Sequence, residues 1–77
     1  MLTLYVKTGC PFCEKVLKFA GDNDVSLNLK NIAEEGVRLE LIEKGGEQQV
    51  PFLVDEQNGV SMYESDDIVE HLKKNFV

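Results

Sequence analysis

Leu2, Leu4 and Val6 alternate with Thr3 and Tyr5, the two-residue period of a strand, and Val25, Leu27 and Leu29 repeat that period against Ser26, Asn28 and Lys30. Between them the period lengthens. Cys13, Val16, Leu17 and Ala20 form a helical apolar stripe that opens at Pro11, a residue suited to the first helical position, and ends before Gly21-Asp22-Asn23-Asp24. Strand, helix and strand in this succession predict a parallel pair joined by a right-handed crossover.

Asn31 followed by Glu34 has the form of a capping box and predicts a helix start, after which Val37, Leu41 and Ile42 continue a modest apolar face until Gly45-Gly46 ends it. Gly36 weakens the first turn. Phe52-Leu53-Val54 and Val60-Ser61-Met62 flank Asp55-Glu56-Gln57-Asn58-Gly59, where Asn-Gly suits a tight hairpin turn, so the third and fourth strands are expected to be antiparallel. Ser65 is placed to cap a last helix whose Ile68, Val69, Leu72 and Phe76 share one side. Asp66 and Asp67 lie at its positive end, Lys73 and Lys74 at its negative end. The order βαβαββα, without linker, repeat or low-complexity tract, predicts one α/β domain over residues 1–77 with helices on both faces of a four-stranded mixed sheet.

Seventy-seven residues sustain one domain with a core near the lower limit for independent folding. A formal net charge of −6 argues against nucleic-acid binding, which needs clustered Lys and Arg. Residues 1–6 carry neither a basic leader nor a long apolar core, so a cytoplasmic monomer without a membrane partner is expected. In a reducing compartment, two cysteines beside a strand-helix pattern are more often catalytic than permanently oxidised.

Those cysteines stand as Cys10-Pro11-Phe12-Cys13 at the head of the first helix. The loop they close is too short for a disulfide to restrict the unfolded chain much, so its value lies in chemistry. Unpaired N–H groups at the helix start stabilise a thiolate on Cys10, and Lys7 just ahead adds positive charge. Cys10 therefore attacks, and Cys13, one turn inside, resolves the mixed disulfide. Half a zinc site is the bland alternative, but only His71 remains as a customary soft ligand, so no metal is expected in a monomer. A metal or iron–sulfur cluster bridging two chains stays open. His71 itself reads as a solvated or half-buried surface residue.

Three motifs, Cys10-Pro11-Phe12-Cys13, Val50-Pro51 before a strand, and Ser65-Asp66-Asp67 opening the last helix, together resemble a dithiol glutaredoxin over essentially the whole chain. The resemblance implies a thioredoxin-like fold, glutathione as co-substrate with no tightly bound cofactor, and disulfide-containing or glutathionylated proteins as partners. It also implies a cis Val50–Pro51 bond facing the cysteines, with the Val50 backbone pairing with the cysteinyl part of glutathione. Ser65 and Asp66 match positions for the γ-glutamyl end, and Lys7 and Arg38 match positions for the glycine carboxylate. Phe12 replaces a more usual Tyr and keeps an aromatic edge beside the cysteines.

Tyr63-Glu64 stands where that family commonly has a glycine pair, and Gln48-Gln49 stands where it has a basic-hydroxyl pair. Glu64-Ser65 is similar to the related pocket of glutathione transferases, but an all-helical second domain is missing, so transferase activity is not expected. The expected activity is reduction of protein disulfides and glutathione mixed disulfides, recycled through glutathione reductase and NADPH. A thioredoxin-like donor recharged by a flavoprotein reductase is the first alternative. A dimeric iron–sulfur cluster carrier is the second, set behind because related carriers commonly have glycine after the first cysteine and lack the resolving one.

Overall fold

In the computed structural model, which describes residues 2–77, β1 (Leu2–Val6) is buried along its whole length. It pairs in parallel with β2 (Asn28–Asn31) and antiparallel with β3 (Phe52–Asp55), and β3 pairs antiparallel with β4 (Val60–Met62). The sheet order is β2-β1-β3-β4. With α1 (Pro11–Asp22), α2 (Val37–Gly45) and α3 (Ser65–Phe76), the chain has the order βαβαββα that the sequence predicts.

The strand period sorts the core between two faces. Leu2, Leu4 and Val6 join Cys13 and Val16 of α1, Leu53 of β3, and Ile68 and Leu72 of α3. Tyr5 turns the other way, onto Phe52 and Leu41 of α2. Helices thus cover both faces of the sheet, which is why Thr3 and Tyr5, the polar partners in the alternation, are buried as well. Among the described residues no helix is long and apolar enough to cross a membrane.

Several boundaries differ from the sequence expectation, each for a physical reason. α1 continues through Gly21 and Asp22, where the Asn23 side-chain amide and backbone N–H both donate to the Phe19 carbonyl. The chain leaves the helix at Asp24, φ 55°, and Val25 N–H donates to the Ala20 carbonyl at 2.8 Å. That tether keeps Val25 and Leu27 against the core beside α1, and β2 starts only at Asn28.

The Asn31–Glu34 contacts form, but they close a turn and do not start a helix. Asn31 Oδ1 accepts from Ala33 N–H at 2.9 Å and Asn31 N–H donates to Glu34 Oε1 at 3.3 Å. Because Asn31 is also the last residue of β2, opposite Val6, α2 begins later, at Val37, behind Gly36 in the left-handed region at φ 82°. The hairpin is a four-residue loop, Glu56 to Gly59, closed by Asp55 accepting from the backbone and side-chain N–H groups of Asn58. Ser65 is the first helical residue of α3, and Glu64 occupies the cap position without a side-chain cap bond. His71 is more than a surface residue: its side chain is 12% exposed and its Nε2 lies 2.7 Å from the buried Asp55 carboxylate.

Candidate functional site

The pairing directions bring three distant segments to one end of the sheet. β1 ends, antiparallel β3 begins and β4 ends at that edge, so the α1 start, the Val50-Pro51 segment and the α3 start gather there.

Gly9, φ 81°, turns the chain into Cys10, whose N–H donates to the Lys7 carbonyl. Cys10 is the N-cap of α1 in extended conformation, with Pro11 starting the helix and Cys13 N–H donating to Cys10 Sγ at 3.3 Å. The two free thiols have different surroundings. Cys10 is partly exposed and Cys13 is buried. Burial, with the hydrogen bond to Cys10 adding to it, pushes the Cys13 thiol up to about 11, against the lowering effect of a hydrogen bond from the Lys7 backbone. At neutral pH, Cys13 is therefore a protonated thiol held beside a more accessible sulfur.

A cavity of about 330 Å3 opens beside this helix start. Phe12 contributes one side, Gln49, Val50 and Pro51 a second, and Tyr63, Glu64, Ser65 and Asp66 a third. The Val50–Pro51 bond is cis, and Val50 precedes the β3 ladder, which begins at Phe52. The first helical bond of α3 runs from Ile68 N–H to the Glu64 carbonyl, so the amides of Ser65, Asp66 and Asp67 have no partner within the helix. Such a helix start accepts a carboxylate, while Glu64 and Asp66 offer negative charge to an ammonium group. Asp66 already pairs with Lys15 of α1, an exposed contact that the sequence reading missed.

Of the sequence-predicted residues, Phe12, Val50, Pro51, Ser65 and Asp66 share this cavity, with Cys10 and Cys13 at the same end of the sheet. Lys7 and Arg38 do not line it. Lys7 is exposed and turns its carbonyl toward Cys10, whereas exposed Arg38 borders a separate depression with Ile32, Glu34 and Leu39. Among the described residues no group of three or more His, Cys, Asp or Glu side chains gathers as a metal site.

Two contacts across the cavity mouth also escaped the sequence reading. The Tyr63 hydroxyl accepts from Glu47 N–H at 3.0 Å and donates to the Glu47 carbonyl at 2.9 Å, and Gln49 Nε2 donates to Glu64 Oε1 at 3.4 Å. Their signal was present. Tyr63-Glu64 and Gln48-Gln49 are the places where the chain departs from the glutaredoxin pattern, and both departures hold members of these contacts.

The sequence matches the family model of the glutathione S-transferase N-terminal domain over residues 4–77. Among solved structures, it is similar to a glutathione S-transferase from the Antarctic clam Laternula elliptica, with 26% identity and a TM-score of 0.82 over 97% of this chain and 35% of that one. A delta-class glutathione transferase from Nilaparvata lugens is 33% identical, with a TM-score of 0.81 over 99% of this chain and 36% of that one. The chain thus spans about a third of the length of these transferases. A thioredoxin-like protein, 20% identical, superimposes at a TM-score of 0.80 over 96% of this chain and 97% of its own, a likeness of fold alone. No curated protein matches. The fold is thioredoxin-like, as expected, while the matching family is the transferase domain, where the cysteine motif pointed to glutaredoxins.

Proposed function

The chain belongs to the glutathione S-transferase N-terminal domain family, and from that membership we propose that it works as a glutathione-dependent thiol–disulfide oxidoreductase of the dithiol glutaredoxin type. The observation that carries this reading is the Cys10–Cys13 arrangement: an accessible sulfur at a helix N-cap, receiving a backbone N–H, with a buried thiol one turn behind. Residues 1–77 form the working domain. Its setting is the cytoplasm.

The Cys10 thiolate attacks one sulfur of a glutathione mixed disulfide, the substrate S–S bond breaks, and the substrate protein leaves as a thiolate that takes a proton. Cys10 then carries the glutathionyl group. A second glutathione thiolate attacks that bond, releasing oxidised glutathione and restoring Cys10. With a protein disulfide, Cys13 loses its proton and attacks Cys10, releasing the substrate's second thiol and leaving a Cys10–Cys13 disulfide that two glutathione molecules reduce. The helix N–H groups at Ser65 and Asp66 take the γ-glutamyl carboxylate, the Asp66 carboxylate faces its ammonium group, Val50 pairs with the cysteinyl backbone, and Phe12 covers the sulfur side. Lys7 and Arg38 reach the glycine carboxylate only by side-chain movement from their present places.

A second reading, conjugation of glutathione to an electrophile, has the family and the named transferases in its favour. One experiment separates the two. Wild type, Cys10→Ser and Cys13→Ser are assayed with a glutathionylated peptide, glutathione, glutathione reductase and NADPH, and in parallel with glutathione and 1-chloro-2,4-dinitrobenzene. The oxidoreductase reading expects NADPH consumption by wild type and Cys13→Ser, with at least a hundredfold loss in Cys10→Ser, of the order expected when a nucleophile is removed. Conjugation without disulfide reduction, or turnover only when thioredoxin reductase replaces glutathione, overturns it.

A further inference from the structure

We propose that Tyr63 is a positioning residue for glutathione, fixing the width of the pocket by fastening its two movable walls together; this inference rests on the glutathione-dependent reading above. One wall is the loop between α2 and β3, carrying Gln49, Val50 and Pro51, and the other is the β4–α3 junction, carrying Glu64 and Ser65. Neither wall segment belongs to a helix or strand until Phe52 and Ser65. Tyr63 joins them by bonding both main-chain groups of one loop residue, Glu47, at 3.0 and 2.9 Å.

The placement of the phenol is built in from three sides. Its ring stacks on the buried Phe52 ring with centroids 4.5 Å apart. Gly45, at the end of α2, leaves room beneath it: a Cβ there would fall 2.0 Å from the Tyr63 hydroxyl and 2.7 Å from the ring carbon that bears it. On the pocket side, the Gln49–Glu64 hydrogen bond at 3.4 Å ties the same walls a second time. Without the hydroxyl, the Glu47 amide and carbonyl turn to water, and the loop is held only by its ends and the longer Gln49 contact. Cys10 caps α1, outside both walls, so the effect falls on glutathione binding and spares the reactivity of the sulfur.

Tyr63→Phe removes the hydroxyl and keeps the ring, while Gly45→Ala crowds the hydroxyl out of place, its Cβ also falling 3.0 Å from the Phe52 ring, and substitutes no residue that lines the pocket. Both are compared with wild type in the glutathione-coupled reductase assay, and amide hydrogen exchange is followed at Glu47. The expected result in both variants is a KM for glutathione raised about tenfold, the scale of one or two net hydrogen bonds, with kcat and the rate of Cys10 alkylation by iodoacetamide within about twofold of wild type. Glu47 amide exchange accelerates by a similar factor. Wild type turning over normally while both variants keep its KM overturns the role of Tyr63, as does a kcat that falls in step with alkylation. Wild type failing to turn over with glutathione at all overturns instead the reading on which the inference rests.

Discussion

At the scale of single residues, the most demanding group in the fold is the Asp55 carboxylate, buried at the end of β3 opposite the cysteines. Burial works to raise its pKa, but hydrogen bonds from the Asn58 side chain, His71 and the Asn58 backbone outweigh that effect and hold the carboxyl below its ordinary value. A depressed carboxylate stabilises the fold above its unfolded pKa, near 4, and that contribution is lost as pH falls through the folded value. Asp55→Ala strips all these partners at once and leaves the largely buried His71 ring without its partner, while the exposed Asn58 turns to water, at a cost of about 1–3 kcal/mol. Urea unfolding at pH 7 checks the loss. Repeating it at successively lower pH checks the cause, since the gap between variant and wild type narrows as pH falls below the unfolded value and toward the depressed folded one. Nothing in the local sequence marks Asp55 and His71 as a pair, because sixteen residues and a change of element separate them. A lone His in an amphipathic helix gives no periodic signal of its own.

At the scale of elements, α3 starts in an unusual way: Glu64 occupies its N-cap, makes no capping bond, and turns its carboxylate to Gln49 across the pocket mouth. Serine is a far better cap than glutamate, because its short oxygen reaches the N2 or N3 amide. Glu64→Ser is therefore expected to raise stability by about 1 kcal/mol, a Tm increase of about 4–8 °C in a domain of this size, while weakening glutathione binding through loss of the Gln49 contact. Calorimetry and the KM for glutathione, measured on one preparation, check both directions. The same helix was legible in the sequence, as were β1 and α1, because their apolar periods arise from faces that the core buries. β2 and α2 were legible only as elements. Their starts are set by distant contacts, the Val25 tether to Ala20 and the pairing of Asn31 with Val6, and local patterns placed β2 three residues early and the α2 cap five.

At the scale of the whole molecule, the strand directions explain why three short motifs carried the site and why two cations did not. Cys10–Cys13, Val50-Pro51 and Ser65-Asp66 each adjoin a strand end at the same edge of the sheet, so order along the chain suffices to bring them together. Lys7 and Arg38 depend on side-chain direction instead, and the weak apolar face of α2 does not fix which way Arg38 points. The layering of the molecule also buries two acidic groups on opposite faces of the sheet, Cys13 on the inner side of α1, in the core shared with α3, and Tyr5 under α2. Burial first raises Cys13 from 9.0 to about 11, and burial with the neighbouring Glu40 charge raises Tyr5 from 10.0 to about 12. Both groups keep their protons more tightly folded than unfolded. Their stabilisation is complete below the unfolded values and is lost as pH rises toward the folded ones, so the urea midpoint should hold from pH 7 to about 8.5 and fall steadily from about 9 to 12. Cys13→Ser removes one of the two titrations without touching the other face, and its midpoint should decline less than that of wild type between pH 9 and 11. A wild-type midpoint that stays level through pH 11 means that Cys13 ionises as readily inside the fold as outside it. The buried, protonated thiol on which the division of labour between Cys10 and Cys13 rests would then be absent.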